Sequence, residues 1–119
     1  MTVRGDIEVL KVSTKSNPNS VAGAIAGAIR SGEAVIIQVV GAGALNQAVK
    51  ASVIARGILA ESGLDIVCVP AFANIEIDGQ QRTALRLRLE DRDRRPVPAG
   101  ATDRPEPASN RHRSVVDLR

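Results

Sequence analysis

With 119 residues and 12.5 kDa the chain holds one hydrophobic core, and its 44% hydrophobic and 24% charged residues are ordinary for a globular domain. Phe72 is the only aromatic residue, which weakens any recognition mode built on stacked bases; lone Cys68 and His112 exclude a disulfide framework and leave no metal centre or Ser–His triad. The +3 net charge lies in the tail, because residues 1–91 sum to zero whereas 92–119 hold seven arginines against four acids.

Residues 7–13 are rich in β-branched side chains and read as a strand. Ser16-Asn17-Pro18 is helix-start chemistry, with Asn17 as N-cap and Pro18 at the first helical position. Residues 21–30 then form a helix in which Val21, Ile25 and Ile29 share a face. Gly23 and Gly27 suggest a face where another backbone comes close, and Ser31-Gly32 ends the helix. Residues 34–40 are almost continuously apolar, as in a central strand. Gly41-Ala42-Gly43 leads into a second helix over residues 44–61, closed by Ser62-Gly63.

Residues 64–70 read as a third apolar strand, and Cys68 is expected to be buried and inert there. Residues 71–77, the Asp78-Gly79 turn and residues 81–90 read as a hairpin. Ile75 and Ile77 share the leucine face of Leu85, Leu87 and Leu89 only if the loop has three residues, pairing Ile77 with Gln81. One face is then apolar, and the other alternates Glu76 and Asp78 with Arg82, Arg86 and Arg88. The expected fold is α+β, a β-α-β-α-β-β two-layer sandwich with two helices on one mixed four-stranded sheet. It occupies residues 1–91. The tail 92–119, with four of the six prolines, reads as disordered except for some order at its very end, Val115 to Leu118.

Gly41-Ala42-Gly43 begins like a dinucleotide fingerprint, but Asn46 replaces its third small residue and the chain lacks repeated βαβ units. What survives is a glycine turn opening a helix, where backbone N–H groups suit a phosphate; the plain alternative is a tight turn. On the second helix Leu45, Ala48, Val49, Ser52, Val53, Ala55 and Leu59 project as one stripe facing the sheet. Asn46, Gln47 and Lys50 sit beside the glycine turn, as phosphate contacts or as ordinary solvated residues. Lys11 and Lys15 flank the first helix and can face the same phosphate path. Arg82, Arg86 and Arg88 make a basic ribbon, with cross-strand pairing to Glu76 and Asp78 as the alternative. Arg56 inside the apolar stripe calls for a carboxylate partner or a subunit interface, and Ile54 and Ile58 point away from the stripe toward such an interface. No acid pair, Cys–His couple or Ser–base arrangement stands out. A catalytic site, a metal and a cofactor are therefore not expected.

Three blocks carry a family resemblance: Lys11-Val12-Ser13-Thr14-Lys15-Ser16-Asn17-Pro18-Asn19-Ser20, Gly41-Ala42-Gly43-Ala44-Leu45-Asn46-Gln47-Ala48-Val49-Lys50, and Ile77-Asp78-Gly79-Gln80-Gln81-Arg82-Thr83-Ala84. With Ile54-Ala55-Arg56-Gly57 and Pro70-Ala71-Phe72 they resemble the stage V sporulation protein S family of bacteria over residues 7–91. That family is similar in fold to the Alba superfamily, whose members are typically dimers that bind DNA or RNA. The resemblance implies contacts at Lys15, from Gly41 to Lys50, and roughly from Glu76 to Arg82. It also implies a setting in sporulation and developmental morphogenesis. The tail lies outside the resemblance.

The expected function is a small cytoplasmic nucleic-acid-binding protein that forms dimers or higher oligomers and has little sequence selectivity. No apolar run reaches bilayer length and the N-terminus lacks a signal-peptide pattern, so neither a membrane partner nor a small-molecule substrate is expected. The competing expectation is an oligomeric structural or regulatory adaptor that binds protein.

Overall fold

The computed structural model describes residues 6–93 and 113–118. In chain order it contains β1 (Ile7–Val12), α1 (Pro18–Arg30), β2 (Ala34–Val39), α2 (Ala42–Ala60), β3 (Ile66–Ile77), β4 (Gln80–Asp91) and β5 (Arg113–Leu118). Both helices pack on one face of a mixed sheet in the order β3-β4-β2-β1-β5. The β-α-β-α-β-β order and the two layers are as the sequence predicts; β5 is an addition, parallel to β1 at the sheet's edge. Of the tail, residues 94–112 and 119 lie outside the described residues.

Local chemistry explains the helix ends. The Asn17 side chain accepts hydrogen bonds from the N–H groups of Asn19 (2.8 Å) and Ser20 (3.3 Å), and Pro18 occupies the first turn. Ser31 caps the C-terminus of α1, and Gly32 follows at a φ of 85°. The core interleaves Leu10 of β1, Val35 and Ile37 of β2, and Leu87 and Leu89 of β4 with Val21, Ile25 and Ile29 of α1. Register explains this selection, because Leu10, Ile37 and Leu87 stand side by side across three strands.

Four details depart from expectation. The helix-facing ridge of α2 is Ala44, Ala48, Ala51, Ala55 and Leu59, while Val49 and Val53 are 47% and 67% exposed. The alanines bring α2 closer to the core than a valine stripe would, and Ile54 and Ile58 pack half-buried against its flank. Gly23 and Gly27 are exposed, and a Cβ at either would meet no atom within 4 Å. They lie two positions from the buried Val21, Ile25 and Ile29, which is about 200° around the helix and so on its far side.

The hairpin is the third departure. Asp78 and Gly79 form a two-residue turn, which pairs Ile77 with Gln80 and Ile75 with Arg82. Both turn residues have positive φ (52° and 79°), the geometry whose twist matches antiparallel strands. The leucine-face constraint does not reach the turn. β2 pairs with β4 only over Val35–Val39 and Leu85–Leu89, so residues 73–77 and 80–84 form a two-stranded arm beyond the core. Turn chemistry sets the register of that arm. Lastly, Cys68 is exposed, because β3 is the edge strand and its outer residues lack a covering helix.

Candidate nucleic-acid interface

β1 and β2 are parallel neighbours, so the loops that follow them open at the same end of the sheet. The first loop is held by its own serines. Ser13 N–H donates to Ser16 Oγ (2.9 Å), Ser16 N–H donates to the Ser13 carbonyl (3.1 Å), and Lys15 N–H donates to Ser13 Oγ (3.1 Å). Ser16 is buried, and Lys15 is presented to solvent at the tip. Across from it, Gln47 Nε2 donates to the Ser16 carbonyl (2.9 Å) and ties α2 to this loop. Thr14 leans on the start of the helix, since a Cβ at Gly43 would lie 2.6 Å from its Cγ2.

The second loop is the glycine turn. Gly41 is the N-cap of α2 at φ 91° and ψ 158°, a conformation suited to glycine. No side chain caps this helix, and its first turn contains no acidic residue. Its N–H groups and the positive end of its dipole therefore face outward. Asn46 and Lys50 are exposed one and two turns further on. Gln47 is half-buried and engaged with Ser16, so it shapes the loop.

The hairpin arm projects from the same end, because β4 runs antiparallel to β2 and its start lies past the end of β2. Arg82 is exposed on the arm. In the observed register Arg82 shares a face with Ile75, whereas Glu76 pairs with Gln81 on the other face. The expected alternation of acids and arginines on one face is thus replaced. Arg82, Arg86 and Arg88 all lie on the sheet face away from the helices, and Lys11 joins them through its register with Gln38 and Arg86. Arg86 Nε donates to Gln38 Oε1 (3.0 Å), and Arg88 Nε pairs with Glu90 Oε1 (3.3 Å). Arg88 is therefore paired with a carboxylate, whereas Arg86 is held by a neutral amide and keeps its charge.

The candidate residues therefore divide into two groups. Lys15, Gly41, Gly43, Asn46, Gln47 and Lys50 gather at the loop end beside the helices, and Lys11, Arg82, Arg86 and Arg88 line the opposite sheet face. The arm joins the two groups at one end. Arg56 belongs to neither: it is exposed, and its Nε meets Asp65 Oδ1 at 2.7 Å, while Arg92 Nε meets Asp65 Oδ2 at 2.9 Å. Arg56 first and Arg92 second hold the Asp65 carboxyl below its ordinary range through hydrogen bonds to the ionised form.

Sequence reasoning missed Thr14 and the Ser13–Ser16 clasp, whose signal is two serines three residues apart just before an N-cap. It also missed the exposed apolar side chains of Val69 (53%) and Phe72 (81%) on β3. Desolvation pushes the Cys68 thiol above its ordinary value and keeps it protonated at neutral pH. Among the described residues, no helix is long and apolar enough to cross a membrane, and no group of three or more His, Cys, Asp or Glu side chains is placed to hold a metal ion. A family model described as stage V sporulation protein S matches residues 8–92, which takes in both loops, α2 and the arm.

Proposed function

Starting from the chain's membership of the stage V sporulation protein S family, to which it belongs over residues 8–92, we propose that this sporulation-related protein is a regulatory nucleic-acid binder that works as an oligomer. The observation that carries the reading is convergence: the Lys15 loop, the uncapped start of α2 with Lys50, and the arm with Arg82 occupy one end of the molecule. Three separate phosphate contacts along one path suit a nucleic-acid backbone better than a compact anion. Contacts to phosphates carry no sequence information, so selectivity between sequences is low. DNA and RNA are both candidates.

The test is fluorescence anisotropy with the full chain on duplex DNA, single-stranded DNA and RNA across a salt series. Binding weakens with salt, and Lys15→Ala, Lys50→Ala and Arg82→Ala each lower the slope of log K against log salt by about 0.9 on duplex DNA. Affinity that ignores salt, or three variants that leave the slope unchanged, overturns the reading.

A second reading rests on Val49, Val53, Val69, Phe72 and Ile77, large apolar side chains that stay exposed on α2 and β3. They suit an oligomeric adaptor that binds protein, and the absence of nucleic-acid binding at low salt would favour it.

A further inference from the structure

β5 covers the whole of β1 in a parallel register that runs from Ile7 opposite Arg113 to Val12 opposite Leu118. Without it β1 is an open edge whose outward N–H and C=O groups lack strand partners. This segment lies beyond the family-matched residues 8–92, so an appended piece of chain closes an edge of the matched domain. Its composition is separate too: residues 94–112 contain Pro96, Pro98, Pro105 and Pro107, and 113–118 contain none.

The connection has slack. β4 ends, and β5 begins, at the end of the sheet where β1 and β2 start. Crossing from β4 to β5 spans three strand spacings, about 15 Å, whereas residues 94–112 extend to about 60 Å. Charge favours the return path. The connection holds Arg94, Arg95, Arg104 and Arg111 against Asp103 and Glu106, and the end it reaches holds Asp6, Glu8 and Glu33. Burial first, and then the charges of Glu8 and Asp6, push the Glu33 carboxyl above its ordinary value.

We propose that the outer edge of β1 is a strand-docking site whose ligand is the segment Arg113–Leu118, held by its own chain when dilute and exchanged into β1 of a second copy when chains are concentrated or the connection is shortened. Joining a segment covalently to its own site gives an effective concentration in the millimolar range, so the intrachain form dominates in dilute solution. The exchange needs neither nucleic acid nor the apolar face of α2.

Amide hydrogen exchange on the full chain is the first test, comparing it with the double variant Val115→Pro/Val116→Pro. Two successive prolines remove the N–H at both alternating positions, whichever of them faces β1. Protection of the β1 amides that face β5 falls at least tenfold, while amides of α1 and β2 keep theirs and report an intact core. A capped, labelled peptide of residues 113–118 then binds the double variant and not the wild-type chain. In a third arm, deleting residues 94–112 leaves only Arg92 and Asp93 between β4 and β5, a reach of about 10 Å that is too short for the intrachain path. That variant gains mass in analytical ultracentrifugation and loses the gain when the two prolines are added. Unchanged β1 protection in the proline variant overturns docking; lost protection without peptide binding or added mass overturns exchange between copies.

Discussion

Thr14 and Gly43 show how closely single side chains set the candidate interface. A Cβ at Gly43 would sit 2.6 Å from Thr14 Cγ2, so Gly43→Ala pushes the Lys15 loop off the start of α2. The expected cost is about 1 kcal/mol in thermal or urea unfolding. In a Thr14→Ser background the obstructing methyl is gone, and the same substitution becomes stabilising by several tenths of a kcal/mol, because alanine suits a helix better than glycine. A loss of equal size in both backgrounds would place the constraint elsewhere. Asp65 gives a pH-dependent counterpart. Its carboxyl binds a proton less tightly in the folded chain than in the unfolded one, because Arg56 and Arg92 hold the ionised form. That stabilisation is complete above the unfolded carboxylate value near 4 and drains away as pH falls through the lower folded value. Asp65→Asn is therefore less stable than wild type at neutral pH, and the two curves converge in acid. Urea midpoints measured across a pH series check this, and a constant gap at every pH would refute it.

At the scale of elements, each mismatch between pattern and structure has its own cause. The periodicity of α2 permits a valine stripe and an alanine ridge, and packing density chose the alanines. Ala51→Leu, on that ridge at 0% exposure, is expected to destabilise the fold by about 1–3 kcal/mol, against almost no change for Val53→Leu on the exposed side. Unfolding curves for the two variants decide between the ridges. For the hairpin, alternation alone favoured a three-residue loop, because it treats all of β4 as lying over the core. Residues 80–84 pair only with β3, and there the positive φ of Asp78 and Gly79 governs. Gly79→Val is expected to cost about 1 kcal/mol or more in urea unfolding, and retained stability would refute the tight turn. Loop, turn and arm were legible one at a time as N-cap, glycine pair and Asp-Gly turn. Their meeting point was not, since it follows from β1 and β2 being parallel and β4 antiparallel.

For the whole molecule the open question is association. Val49 and Val53 on α2 and Phe72 on β3 are exposed apolar side chains of the kind that subunit contacts bury. Val53→Asp and Phe72→Asp are expected to lower the sedimenting mass while leaving far-UV circular dichroism unchanged. Unaltered mass for both would remove these surfaces from the proposed assembly. Ile54 and Ile58, expected at such an interface, are half-buried against the core, so their truncation also costs stability.

What the sequence alone determined is local or additive: the Asn17 cap, the order of strands and helices, the neutral domain with its basic tail, and family blocks long enough to be recognised. Each depends on short-range chemistry or on composition, which a linear string records in full. Tertiary structure decided which ridge of α2 faces inward, which face Arg82 shares with Lys11, why Cys68 is exposed, and that Arg113–Leu118 closes the edge of β1. Those outcomes depend on which strands become neighbours and where the sheet ends. Burial and register are properties of pairs of segments far apart in the chain, so they take definite values only once the segments have met.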